Sequence, residues 1–354
     1  PADAPANIPR WDTNPELLSV SSGAIGAERL NLASNCRVLE VTGPLDYTFR
    51  RYTLYPETTP AVECDGFDQP RPAAMPLADD INVATYNLQR FFDDSNDPSI
   101  GEPVLTAAAY DKRLNKASLG IRNYMHFPDI LGAVEVENLS VLQALANRVN
   151  TDALANGQPD PRYVAYLMEG NDVGGIDVGF LVKTAEVTAG VPRVAVQQVV
   201  QHGKNTTWTE PGGGTSLLND RPPLSLRAVV NFADGRQYPL SSIVVHNRSL
   251  NGNETDDAAG QRVRAKRQAQ AEFLANLLQE RQLANAGENI LVMGDFNTFE
   301  FNDGYVDAMG VITGQPSRDS ETIVPGDGAD LVTPDYQALT WSLPADQSYS
   351  YTFD

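Results

Sequence analysis

Three short runs carry oxygen-donor side chains that could grip a hard metal ion: Thr85-Tyr86-Asn87, Val134-Glu135-Val136-Glu137-Asn138 and Gly294-Asp295-Phe296-Asn297. Each closes an apolar stretch, so each is expected at the end of a strand. Carboxylate and amide oxygens suit Mg²⁺, Mn²⁺ or Ca²⁺. A fourth apolar run, Ser242-Ile243-Val244-Val245, ends in His246. The chain holds only 3 His and 2 Cys, which argues against a zinc site built on imidazole and thiolate. Polar groups at strand ends are where open α/β sheets place their sites.

The elements that must position these residues alternate from residue 77 onward. Residues 80–87 have a strand pattern, and Ala107 to about Phe127 has helical spacing in Leu114, Leu119, Ile121 and Tyr124. Residues 130–136 form a buried strand, after which Asn138 opens a helix with Val141, Leu142, Leu145 and Val149 on one face. Further strands are expected at 177–182, 226–232, 242–246 and 289–295. A long helix is expected from about Ala258 to Leu283, with Phe273, Leu277 and Leu278 toward the core. This order predicts a four-layer α/β sandwich, two packed mixed β-sheets flanked by helices. Gly203 to Asn219, with Gly212-Gly213-Gly214, is expected to be a mobile loop. Residues 1–75 differ: short alternating runs broken by Gly43-Pro44 and Pro56 to Pro60 predict a small β-rich segment. The proline-rich stretch Gln69 to Pro76 is a stiff connector, so one domain is expected over 1–75 and another over 76–354.

Composition narrows the function. Basic residues number 26 and acidic ones 46, a formal charge of −20, with 21 Arg to 5 Lys and 29 Asp to 17 Glu. That balance excludes a protein that coats nucleic acid with a basic surface, but not an enzyme that grips a few phosphates locally. No run of about 20 apolar residues is present to span a membrane. Cys36 and Cys64 stand in a turn-rich stretch. Paired, they would stabilise the fold by roughly 3–4 kcal/mol on the loop-entropy model and suit a secreted, periplasmic or cell-surface protein. Two separate buried thiols are the alternative.

Thr85-Tyr86-Asn87-Leu88, Leu131 to Asn138, Asp220-Arg221-Pro222-Pro223-Leu224, Val244 to Ser249 and Met293 to Asn297 resemble, in order, the motifs of the endonuclease/exonuclease/phosphatase superfamily. Within it the chain is most similar to large secreted bacterial nucleases, over roughly residues 78–354. The resemblance implies a divalent-metal-dependent phosphodiesterase that cuts nucleic acid, DNA before RNA, by in-line attack of water, with Mg²⁺ or Mn²⁺ or Ca²⁺ as cofactor. It implies that Glu135 is the main metal ligand and that Asn87 binds the metal or a phosphate oxygen. Asp295 and Asn297 would orient the attacking water and hold the phosphate, with Asp295 also at the metal. His246 would stabilise the pentavalent phosphate or protonate the leaving oxygen. Arg221 would clamp a phosphate, or instead form a structural ion pair. Asp177 fits a less specific catalytic position. Glu137 is expected to serve the helix start, and His126 and His202 to be structural or surface residues.

Two departures from the family pattern stand out. Gln89-Arg90 replaces the usual Glu-Asn after Asn87, which removes a carboxylate and adds a phosphate contact at Arg90. The resembling chains continue past a segment like Tyr349 to Asp354 into Asp-His and Ser-Asp-His motifs, which supply a general base and the residue that orients it. The expectation is that this tail lies outside the given residues, with a docked separate tail or partner strand at the open sheet end, or a non-catalytic relative, as alternatives. Arg248, Arg262, Arg264, Lys266 and Arg267 are either a phosphate-tracking rim or a solvated helix face. Function alternatives are an extracellular binding or structural module on the same fold, and a phospholipase or phosphatase.

Overall fold

The computed structural model describes residues 18–26, 30, 32, 36–48, 51–64, 71–98, 100–324 and 328–344. The run from Tyr349 to Asp354 lies outside the described residues. Two compact units form, a smaller one within Trp11–Ala73 and a larger one within Ala74–Asp354.

The smaller unit is built from short strands. Leu18–Val20 lies parallel to Arg51–Leu54, which pairs antiparallel with Leu45–Thr48. Arg37–Leu39 pairs antiparallel with Ala61–Glu63, with Arg37 opposite Glu63. That register brings the next residues out, Cys36 and Cys64, to a Cα separation of 4.3 Å, and they form a disulfide.

The larger unit has two four-stranded sheets. The first holds β1 (Val83–Phe91), β2 (Ile130–Val136), β3 (Tyr163–Leu167) and β4 (Asp177–Lys183), in the order β1-β2-β4-β3. The second holds β5 (Val194–Gln201), β6 (Leu224–Asn231), β7 (Gln237–His246) and β8 (Ile290–Asp295), in that order. Pairs β1–β2 and β7–β8 are parallel and the rest antiparallel, so both sheets are mixed. Helices α1 (Ala107–Leu119) and α2 (Leu139–Ala155) pack on the first sheet, and α3 (Ala258–Ala284) and α4 (Ala308–Thr313) on the second. The molecule therefore has the four expected layers. No described helix is long and apolar enough to cross a membrane.

Side-chain alternation explains the layering. β2 sends Ile130 and Val134 into the space between the sheets and Leu131 and Ala133 outward against α2. Covered on both faces, it reads as one continuous apolar run rather than an alternating one. Between the sheets Val178, Phe180 and Val182 of β4 meet Leu224, Leu226 and Ala228 of β6 and Met293 of β8. On the outer side Leu142, Leu145 and Val149 of α2 are fully buried, each worth about 1.5–3 kcal/mol. Asn138 caps α2 by accepting from the Val141 amide at 3.0 Å.

Several elements differ from expectation. The first strand starts at Val83 and runs on to Phe91. The helix from Ala107 stops at Leu119 and loosens into a wider turn over Gly120–Tyr124. The expected mobile loop instead contains a hairpin, Thr207–Glu210 with Gly214–Leu217. Arg262 of α3 pins it, ion-pairing with Glu210 at 2.9 Å and lying over the Trp208 ring. α3 itself buries Arg264, Lys266 and Arg267 along with its apolar stripe.

Gly294 sets how closely β7 and β8 approach. Its φ is +126°, and a Cβ there would stand 2.1 Å from the Val245 carbonyl oxygen. Because the obstacle is backbone, the strand pair must shift to admit any side chain. Gly294→Ala is expected to cost about 2–4 kcal/mol, from the strained φ together with the clash. A lowered urea midpoint with an unchanged slope checks this; an unaltered midpoint refutes it.

Candidate active site

The parallel register of β7 and β8 sets His246 directly opposite Asp295. In the other sheet the β1–β2 register puts Asn87 opposite Val134, next to Glu135. Strand ends from both sheets thus meet. One donor atom each from Glu135, His246 and Asp295 lies within 4.8 Å of the others.

Glu135 reaches this point through a bulge. β4 pairs Val178 with Val134 and Asp177 with Val136, leaving Glu135 as the extra residue, at φ +62°. β1 breaks register over the same stretch, between Asn87 and Phe91. Gln89 and Arg90 inside that break both have φ +53°, and Asn297 has φ +49°. Such backbone is uncommon for residues with a Cβ and costs about 1–3 kcal/mol each. Arg113 of α1 braces the β1 break, donating to the carbonyls of Leu88, Gln89 and Arg90 at 2.5–2.9 Å.

The two carboxylates are held by neutral donors. Asn87 Nδ2 donates to Glu135 Oε1 at 3.0 Å and to Asp295 Oδ2 at 3.1 Å. The Arg90 amide donates to Glu135 Oε2 at 2.8 Å and the Asn297 amide to Asp295 Oδ1 at 2.9 Å. Among the described residues neither carboxylate forms an ion pair with Lys or Arg. His246 is buried, its Nε2 3.9 Å from Glu135 Oε1 and its Nδ1 without a hydrogen-bond partner among the described residues. Burial, then the nearby Arg221 guanidinium, holds its pKa well below the ordinary histidine value, so the ring is neutral at pH 7. Two carboxylates that form no ion pair with Lys or Arg among the described residues, beside a neutral imidazole whose Nε2 faces Glu135, fit a divalent cation. The Arg113 guanidinium acts on Glu135 only from a distance. Asn87, expected at the metal or a phosphate oxygen, turns its Nδ2 toward both carboxylates and accepts from the Gln89 amide at Oδ1, and His246 lies beside them.

The remaining expected residues divide. Asn297 belongs to the cluster, its Nδ2 donating to the Asn247 carbonyl at 2.9 Å. Arg221 is committed: Nη1 meets Asp172 at 2.6 Å, Nε donates to the His246 carbonyl at 3.2 Å and Nη2 to the Asn247 carbonyl at 2.9 Å. Three of its five N–H groups are thus committed, two to the strand end and one to Asp172, and the structural ion pair is what it forms. Arg248 stands half-buried, Nη1 donating to Ser249 Oγ at 3.0 Å. Arg90 is exposed and its guanidinium lies 5.5 Å from the Phe92 ring centre. Glu137 accepts from the Asp93 amide and from Asn138 Nδ2, and burial pushes its pKa up to about 7. His202 bonds Ser225 Oγ at 2.8 Å.

The basic rim does not form. Arg262 pairs with Glu210, Lys266 with Asp220 and Arg267 with Asp303, each at 2.8–2.9 Å, while Arg264 donates to the carbonyls of Asn253 and Thr255. Arg264, Lys266 and Arg267 are buried, so the helix face is neither a rim nor solvated. Sequence reasoning missed Arg113, Asp172 and Asn247. Nothing local marks Arg113 and Asp172, because each acts through a contact with a distant segment, whereas Asn247 lay within the Val244 to Ser249 motif without an assigned role.

Asp177 accepts from the Gly170 amide at 2.8 Å and is not one of the three residues whose donor atoms meet at the cluster. Burial, then the adjacent Glu169 carboxyl, pushes its pKa up to about 8 from 3.8. It is protonated at neutral pH and therefore unsuited to act there as a base. Between these two values the folded chain holds a proton that the unfolded chain has released. Its stabilising contribution is therefore complete below about pH 4 and is lost as pH rises through about 8. Asp177→Asn keeps the Gly170 bond and removes the titration. Urea unfolding at pH 5 and pH 8.5 should show a smaller alkaline loss of stability in the variant; equal losses would refute the assignment.

No protein-family model matches the chain, and no curated protein matches it in sequence. Solved structures similar to it include a β-hairpin deletion mutant of beta toxin from Staphylococcus aureus. That structure has TM-score 0.41 and 14% identity, over 66% of this chain and 73% of that one. Another is ANGEL2, a 2′,3′-cyclic phosphatase, with TM-score 0.33 and 14% identity, over 58% of this chain and 50% of that one. Both are distant, and the site rests on its own geometry.

Proposed function

We propose that the chain is a divalent-cation-dependent phosphodiesterase of the endonuclease/exonuclease/phosphatase type, acting on nucleic acid and on DNA in the first place. One observation carries this reading: motifs up to 208 residues apart in sequence, Asn87, Glu135, His246 and Asp295, close on one point where, among the described residues, the two carboxylates form no ion pair with Lys or Arg. Glu135 and Asp295 would hold the cation, with His246 beside them. The cation would supply positive charge to the phosphoryl oxygens and ease attack by water.

The chain's own groups do the rest. Neutral His246 offers a hydrogen bond to a phosphoryl or leaving oxygen without a proton to shed first. Asp295, fixed by Asn87 and by the Asn297 amide, is an acceptor able to orient a water. Asn297 Nδ2 is anchored by its bond to the Asn247 carbonyl, so its second N–H can meet a phosphoryl oxygen from a fixed position as charge develops. A disulfide in the smaller unit suits a secreted or periplasmic setting.

Supercoiled plasmid incubated with the protein and Mg²⁺ or Mn²⁺ should be nicked, and chelation should stop it. Glu135→Ala and His246→Ala should each slow nicking by about 10²–10⁴-fold. Nicking that survives either substitution unchanged would sink the site assignment. Tight Mn²⁺ binding with no hydrolysis of any phosphodiester would favour a binding module.

A further inference from the structure

A polyanionic substrate is ordinarily gripped by Lys and Arg. Around the cluster most basic groups are already engaged. Arg262, Lys266 and Arg267 are ion-paired, Arg221 meets Asp172, and Arg113 holds three carbonyls. Arg248 differs. Among the described residues it forms no ion pair, and its guanidinium makes a single hydrogen bond, Nη1 to Ser249 Oγ at 3.0 Å. Four of its five N–H groups are therefore uncommitted. The two acids that act on it, Asp220 and Asp172, are held by Lys266 at 2.8 Å and by Arg221 at 2.6 Å. Burial lowers its pKa, Asp220 opposes this, and Arg221 and Arg262 add to the lowering; an arginine stays charged at neutral pH all the same. A half-buried cation with no anion of its own favours taking one up.

The position of Arg248 says which anion. It follows His246 by two residues, at most about 7 Å of chain. Its amide is fixed by Gln270 Oε1 at 2.7 Å. Asn247, between them, is tied to the cluster: its amide donates to the Asp295 carbonyl at 3.0 Å and its carbonyl accepts from Asn297 Nδ2 at 2.9 Å. The Arg221 guanidinium acts on both the His246 ring and the Arg248 guanidinium, so both lie within its field. Arg90 also forms no ion pair among the described residues, but it is exposed, where salt screens a charge. We infer that Arg248 grips the phosphate next to the scissile one, so that the preferred substrate carries two phosphates in succession, as a polynucleotide does and a lone phosphodiester does not. The guanidinium fork suits two oxygens of such a phosphate. Which phosphate is cut rests on the phosphodiesterase reading; the anion site at Arg248 does not.

The test compares three dinucleotides with Mn²⁺: TpT, which has one phosphodiester and nothing else, and its 5′- and 3′-phosphorylated forms, pTpT and TpTp. One of the phosphorylated forms should be cut with kcat/KM about 10- to 100-fold above TpT. In Arg248→Gln that preference should fall below about twofold, through KM rather than kcat, and Arg248→Lys should retain part of it. No preference in the unsubstituted chain, or one that persists in Arg248→Gln, overturns the inference. So does an equal slowing of all three substrates, which would give Arg248 a structural role. Binding is read separately, by fluorescence anisotropy of labelled oligothymidylate with Mg²⁺ in a Glu135→Gln background. There Arg248→Gln should make the slope of log affinity against log salt shallower by about 0.7, the loss of one phosphate contact. If the unsubstituted chain cuts none of the three dinucleotides yet the slope falls in this way, the phosphodiesterase reading fails and the anion site stands. No cutting together with an unchanged slope, or with no binding, defeats both.

Discussion

Two carboxylates from different sheets, Glu135 and Asp295, must be kept within a few ångströms of each other with no cationic side chain between them. Like charges about 4 Å apart repel by about 1–4 kcal/mol at effective dielectric constants of 80 to 20. The fold offsets this with neutral N–H groups: the Asn87 amide spans both oxygens, and the Arg90 and Asn297 backbone amides take one each. Aiming those donors requires the break in β1, the bulge in β2 and the positive φ at Asn297. Two of these distortions are held from outside, by Arg113 on the β1 break and Arg267 on the Asn297 carbonyl, while Arg221 braces the end of β7. Strain at the centre is stabilised by arginines around it.

That arrangement accounts for the arginine-rich, lysine-poor basic complement better than surface chemistry does. A planar guanidinium can satisfy several carbonyls and a carboxylate at once, which an ammonium cannot. Arg221 serves two carbonyls and Asp172; Arg267 serves Asn253, Asn297 and Asp303. The start of α3 is consequently a polar core, where breaking one partner of a buried pair leaves an isolated charge at a cost of about 3–5 kcal/mol.

The four layers were legible in the sequence because they follow from local signals, while the expectation that the strand ends meet came from the motif resemblance. Apolar runs of strand length, a capping Asn138 and polar residues closing three strands all lie within short windows. The inward turn of Arg264, Lys266 and Arg267 was not legible, because Asp220 and Asp303 stand tens of residues away. A basic helix looks the same in sequence whether it faces water or buried acids. The 203–219 stretch misled for a related reason: three glycines signal flexibility, but Arg262 anchors the hairpin they close. His246 joining the carboxylates depends on the β7–β8 register, and Asn87 turning its nitrogen inward depends on both carboxylates arriving together. Neither is a property of one segment.

The Asn87 strap has a consequence for handling the protein. Where a structural zinc site is unformed until metal arrives, binding and folding are one event, and a chelator denatures the domain. Here the acidic oxygens already have donors from the chain itself. Those contacts hold the carboxylates without help from an ion, so chelation is expected to leave the polypeptide folded.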